Sequence, residues 1–265
     1  MSVIPHTCIN DPGMNCLVNT DRFSAEEACH LLADGAAGLF ADATEIFRSR
    51  NAISYQVTCG DTRFFAKEIT HRRSYRNLID RFTCPTSFKN FWAGANLLEA
   101  DLPTPMPAIA TLIRTDDGPR QFLVTDFCED AVGLDAMVRQ TSGAQRYLIL
   151  TEVADLLADF HHRGFYSRHL RSANILVRPG KTRQYWFIDL DRMMNHRWLF
   201  YDVFASTVSR AAFEFYEDLT HEERHQFLSA CFNAALKHNI YHRPSLEKGF
   251  KDSVIKMVKA RRHTE

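Results

Sequence analysis

A chain of 265 residues and 30.5 kDa with 45% hydrophobic content can bury a full core, which excludes disorder as its main theme. Thirty-two Lys plus Arg offset thirty-two Asp plus Glu, so no net field draws nucleic acid or another polyanion. The seven cysteines form no C-x-x-C pair, which argues against zinc and dithiol chemistry and fits a reducing cytosol. The first residues lack the basic flank and apolar run of a signal peptide, and no apolar run reaches the length of about eighteen that a membrane span needs. The expectation is a soluble chain, at most peripheral to a membrane.

Residues 1–22 read as an irregular lead. Ser24-Ala-Glu-Glu27 is a capping-box pattern that opens a short helix ending near Gly35. From Ala43 the texture becomes extended: Thr44–Arg48, Ala52–Cys59 and, after the Gly60-Asp61 turn, Thr62–Ile69. Their β-branched and aromatic enrichment predicts a three-strand antiparallel meander with Lys67 on its third strand. A helix over Ser87–Ala100 follows and is stopped by Leu102-Pro-Thr-Pro-Met-Pro107. Two more strands are expected around Ala108–Arg114 and Gln121–Phe127. Beyond Cys128 the periodicity turns helical. Gln145–His162 is a buried helix with Gly164 at its C-cap, Thr220-His-Glu-Glu223 opens another, and Leu246–Lys259 is a last amphipathic one. His161 and His162 fall at a helix end, where the dipole favours imidazolium and a capping role.

The chemistry concentrates between Gly164 and Arg192. Phe165–Val177, a Pro179-Gly180 turn and Gln184–Arg192 read as loop, strand, turn, strand, acidic loop. The protein-kinase catalytic loop H-R-D-L-x-x-x-N, a hairpin and D-F-G follow the same order, and Arg168, Leu170, Asn174 and Asp189 stand at the matching places. Ser167 replaces the His and His169 the Asp. Asn174 at a loop end and Asp189 after the next strand are expected to bring two oxygens to one point, which suits Mg2+ held by few protein oxygens and by phosphates. Phe65-Ala-Lys67 matches the strand lysine that grips phosphates. Lys67 alone would be an ordinary strand lysine. The order of all three positions singles it out.

Phe65-Ala-Lys-Glu-Ile69, Leu102-Pro-Thr-Pro105, Leu123-Val-Thr-Asp126, Asn174-Ile-Leu-Val177 and Ile188-Asp-Leu-Asp-Arg192 together resemble the Kdo/WaaP lipopolysaccharide kinases over about residues 43–210. The resemblance implies an α+β, protein-kinase-like two-lobed fold, with a small antiparallel-sheet N-lobe (43–127) and a helical C-lobe (128–265) behind an N-terminal extension (1–42). It implies ATP and Mg2+ as cofactors and phosphoryl transfer to a hydroxyl of a lipopolysaccharide inner-core sugar or lipid precursor. The place would be the cytoplasm, at the inner face of a bacterial inner membrane. By the same resemblance Lys67, Thr125 and Asp126 contact the nucleotide, Asn174 and Asp189 hold Mg2+, and His169 with Arg168 occupies the catalytic position. Asp202 would brace the catalytic loop.

The chain departs from the family pattern at three places. His169 stands for the catalytic Asp, Asn90 falls near the place of the lysine's acidic partner, and the turn Arg48-Ser-Arg-Asn51 has no glycine to close over phosphates. A pseudokinase with a binding or regulatory role, and a phosphotransferase on a small soluble metabolite, are the rival readings. Asp191 reads as a solvated or structural carboxylate. The basic cluster Lys256, Lys259, Arg261, Arg262 and His263 is either a solvated helix end or a contact for anionic lipid.

Overall fold

The computed structural model describes residues 4–11, 13–69, 84–115, 118–167, 169–190, 192–195 and 201–262, the side chains of Tyr201, Asp202 and Arg262 excepted. Arg168, Asp191 and His263 therefore lie outside the described residues, as do the proposed brace of Asp202 and the side chain of Arg262. The chain divides into two units, Met1–Glu129 and Asp130–Glu265.

The expected irregular lead is instead a hairpin, β1 (His6–Asp11) and β2 (Met14–Asn19). Its apolar positions Cys16, Leu17 and Val18 are buried on the sheet, a tertiary gain that local composition did not announce. A helical segment, α1 (Ala25–Phe40), starts on the Ser24 capping box; its helical run breaks at Asp34, Gly35 and Ala36, all at positive φ. The glycine thus marks the break, and Arg120 Nη1 donates to its carbonyl at 3.1 Å. The meander follows as β3 (Thr44–Arg48), β4 (Ala52–Cys59) and β5 (Thr62–Ile69).

Next come α2 (Thr86–Glu99), β6 (Pro107–Thr115) and β7 (Gly118–Asp126). The helix ends before the prolines act: Asp101 turns to positive φ, and the Leu102 N–H donates back to the Leu97 carbonyl at 2.9 Å. The seven strands form one antiparallel sheet in the order β1-β2-β6-β7-β5-β4-β3. One face packs Val57, Phe64, Ala66, Phe122 and Val124 against Ala28, Leu32 and Leu39 of α1. The other packs Leu17, Ala110 and Leu123 against Phe91 of α2.

The second unit runs β8 (Val132–Gly133), α3 (Leu134–Gln140), α4 (Gly143–His162), β9 (Phe165–Ser167), β10 (Ile175–Arg178), β11 (Gln184–Phe187), β12 (Met193–Asn195), α5 (Tyr201–Ala212), α6 (His221–Lys237) and α7 (Glu247–Arg262). Gly164, at φ 88, terminates α4 as its position predicts. Fully buried Phe160 on α4 touches Phe165 and Phe187, with ring centroids 5.7 and 4.7 Å away. That aromatic contact fixes β9, which leads into the catalytic-loop segment, and β11, which leads to Asp189, to the long helix.

Candidate active site

In the sheet unit, cross-strand pairing decides which side chains share a face, because directly opposed residues of antiparallel strands point the same way. Lys67 pairs with Ser54 on one side and Leu123 on the other, and Leu123 packs on α2. Lys67 therefore lies on the α2 face. Thr125, opposite Phe65, lies on that face too, one step along. Asp126 pairs with Phe64 and so belongs to the α1 face. There its carboxylate accepts from Arg22 Nη2 at 2.6 Å. Burial raises the Asp126 carboxyl above the usual carboxylate range, against the opposing pull of Arg22. Of the three expected nucleotide contacts, the sheet brings two side chains together and turns the third away.

Asn90 takes no acidic partner's place: it is 6% exposed, and its Nδ2 donates to the Thr86 carbonyl one turn back at 2.9 Å. The turn between β3 and β4 closes on its own hydroxyl. The N–H groups of Asn51 and Ala52 donate to Ser49 Oγ at 3.3 and 3.1 Å, so two backbone donors that a glycine loop would offer to phosphate are already used.

In the helical unit, a chain of hydrogen bonds links Ser167, His169, Asn174 and Ile188. Ser167 is 5% exposed, and its Oγ accepts from the His169 N–H at 3.1 Å. The hydroxyl that stands where the protein-kinase motif has a histidine thus caps the loop start. The His169 carbonyl accepts twice, from the Arg171 N–H at 2.9 Å and from Asn174 Nδ2 at 2.9 Å. With its amide nitrogen so engaged, Asn174 keeps Oδ1, the atom suited to a hard cation, as its remaining side-chain group. The Asn174 carbonyl accepts from the Ile188 N–H at 2.9 Å, which locks the residue before Asp189 to the loop. Asp189 itself adopts φ 57, a left-handed conformation that aspartate tolerates better than most non-glycine residues.

The loop also leans on two residues that motif matching missed. Glu214 Oε2 accepts from the Ser172 hydroxyl at 2.6 Å and from the Ala173 N–H at 3.0 Å, and Oε1 lies 3.7 Å from Arg171 Nη1. Gly133 faces the Cα of Ala173, and a Cβ there would stand 2.7 Å from Asp135 Oδ1. The one sequence signal for Glu214 is a carboxylate set between two aromatics, Phe213 and Phe215, just past a helix. The capping reading of His161 is corrected: its ring is 4% exposed, packs 5.3 Å from Phe204, and has no hydrogen-bond partner at either nitrogen. Desolvation pushes its pKa down to about 4, helped by His162, so it is a neutral core residue. Among the described residues no group of three His, Cys, Asp or Glu side chains could hold a metal ion.

A sheet unit carrying a strand lysine and a helical unit carrying a loop Asn and a post-strand Asp define a kinase-like α+β protein. The solved structure "WaaP in complex with acyl carrier protein" has the same fold, with a TM-score of 0.59 at 16% identity over 88% of this chain and 97% of that one. Residues 44–230 match the lipopolysaccharide kinase (Kdo/WaaP) family, and the chain belongs to it. Its function is of the lipopolysaccharide kinase type, and neither match supports the rival readings. The comparison with curated proteins finds no match.

Proposed function

We propose that the chain transfers a phosphoryl group from ATP, with Mg2+, to a hydroxyl of a lipopolysaccharide inner-core sugar or its lipid precursor. The observation that carries this reading is the hydrogen-bonded loop, which leaves Asn174 Oδ1 available beside the segment bearing Asp189. Bound Mg-ATP would supply the phosphoryl group and screen its charge. Asn174 and Asp189 offer the oxygens for the cation, Lys67 the charge for the phosphates, and Thr125 a hydroxyl on the same sheet face; Asp126, whose carboxylate is held by Arg22 on the other face and whose N–H donates to the Met106 carbonyl, has no part in this reading. Arg168 flanks the catalytic position. His169 accepts the proton of the acceptor hydroxyl as the new O–P bond forms and the bond to the ADP oxygen breaks.

An imidazole can take that proton but lacks the negative charge with which an aspartate orients the hydroxyl. General-base help is worth about 10²–10⁴-fold, and most of phosphoryl transfer rests on positioning. Transfer to lipopolysaccharide-core sugars is therefore expected to be slow in the wild type, slower in His169→Ala and much faster in His169→Asp. The Ser49-closed turn favours a second reading, weak nucleotide binding without transfer. Three silent proteins that still bind nucleotide would establish it and sink the first.

Action at the inner face of the membrane follows from the same reading. The last helix buries Val254 and Val258 while Lys256 and Lys259 are exposed. Each such charge adds ~1 kcal/mol toward an anionic surface. An acyl carrier protein, the partner in the WaaP structure, is the first protein to test by co-purification.

A further inference from the structure

We infer that Glu214 is a positioning residue for the proposed metal ligands, an inference that rests on the kinase reading above. Its carboxylate is a fixed point. Arg139 Nη2 donates to the Glu214 carbonyl at 2.8 Å, while Nη1 and Nε of the same arginine hold Asp135 and Asp218 at 2.8 and 2.9 Å. On the next residue, fully buried Phe215 packs on Phe227, centroids 5.7 Å apart. The backbone of Glu214 is thus pinned at its carbonyl and at the residue that follows, and its side chain is 21% exposed.

From that anchor the carboxylate accepts two hydrogen bonds from adjacent residues of the loop, Ser172 Oγ at 2.6 Å and the Ala173 N–H at 3.0 Å. Hydrogen bonds to an ionised oxygen are short and strong. The next residue is Asn174, whose Nδ2 and carbonyl make the hydrogen bonds to His169 and Ile188. A shift of Ser172 and Ala173 would therefore be passed directly to Asn174 and, through Ile188, to Asp189. Arg171, near Glu214 Oε1, is held on the same carboxylate two residues from His169. One charge beyond the ligand set fixes the loop that carries it, the role outer partners play at metal sites.

The test uses the full chain with Glu214→Ala, Glu214→Gln and Ser172→Ala, read two ways. Hydrogen–deuterium exchange follows peptides spanning 169–190 against α6 as control. Thermal shift follows a Mg2+ titration at fixed ATP and an ATP titration without Mg2+. Glu214→Ala is expected to speed exchange over 169–190 with α6 unchanged, and to raise the Mg2+ half-point about tenfold, the low end of the cost of losing an outer partner. The Mg2+-free ATP half-point stays as in the wild type. Glu214→Gln, which can still accept both loop hydrogen bonds, falls between. Wild-type exchange in Glu214→Ala overturns the inference, and so does faster exchange with an unmoved Mg2+ half-point, which would reduce Glu214 to a structural prop. Should Glu214→Ala fail to fold, Ser172→Ala decides by the same two criteria. A wild type without any Mg2+-dependent shift refutes the kinase reading itself, and is distinguished from variants that merely match a responsive wild type.

Discussion

At the scale of single residues, His161 shows how a buried imidazole writes itself into the pH dependence of stability. Its folded pKa lies at about 4, against 6.5 for an ordinary histidine. Between those two values the unfolded chain binds the proton and the folded chain does not, so stability present above pH 6.5 is lost as pH falls toward 4. The full window corresponds to about 3 kcal/mol. Both ring nitrogens lack partners, and exchanging such a group for an apolar one is near neutral or stabilising. His161→Leu is therefore expected to match or exceed the wild-type urea midpoint at pH 7 and to show a shallower decline from pH 6.5 to 4. Identical pH profiles for the two proteins would contradict the burial argument. Titratable groups that do not interact with His161 appear in both profiles and cancel in the difference.

At the scale of elements, both units use the same device to start a helix. Ser24 and Glu27 exchange hydrogen bonds at the head of α1, and Thr220 and Glu223 do so at the head of α6. Each cap removal should cost about 1 kcal/mol. The second box carries more, because Glu223 also accepts from Arg146 Nη1 at 3.2 Å, and Arg146 donates through Nε to the Thr141 carbonyl at 2.7 Å. Glu223→Ala is expected to lower the urea midpoint more than Thr220→Ala, by roughly twice the free energy, since it releases a largely buried guanidinium as well as a cap. Equal midpoints for the two variants would show that Arg146 gains nothing from Glu223. Both capping boxes were visible as S/T-x-x-E patterns, since a cap is a local contract between residues three apart. Neither the pairing of Arg146 with Glu223 nor that of Arg22 with Asp126, 104 residues apart, has any such local mark.

At the scale of the molecule, ligand binding to the proposed Mg2+ ligands should appear as stability. A ligand at 100 times its dissociation constant adds about 2.7 kcal/mol, which for a chain of this size raises the melting temperature by roughly 5–10 °C. Mg-ATP is expected to raise the wild-type value more than ATP alone, and Asp189→Asn to erase that difference. An unchanged Mg2+ increment in Asp189→Asn would remove Asp189 from the ligand set. The types of the longer elements from Ser24 onward and the order lysine, asparagine, aspartate were readable from the sequence alone, whereas the short elements Val132–Gly133, Leu134–Gln140, Phe165–Ser167 and Met193–Asn195 were not. Hydrophobic periodicity, caps and motif spacing are local quantities, and they sufficed to place Lys67, His169, Asn174 and Asp189 on their elements. Which side chains share a face was not readable. A strand's two faces alternate by single residues, so only the pairing of β5 with β4 and β7 sets Lys67 and Thr125 on one face and Asp126 on the other. The hairpin at residues 6–19 and the anchoring of the catalytic loop by Glu214 were equally silent. Their energies come from partners distant in the chain, and only the folded structure chooses those partners.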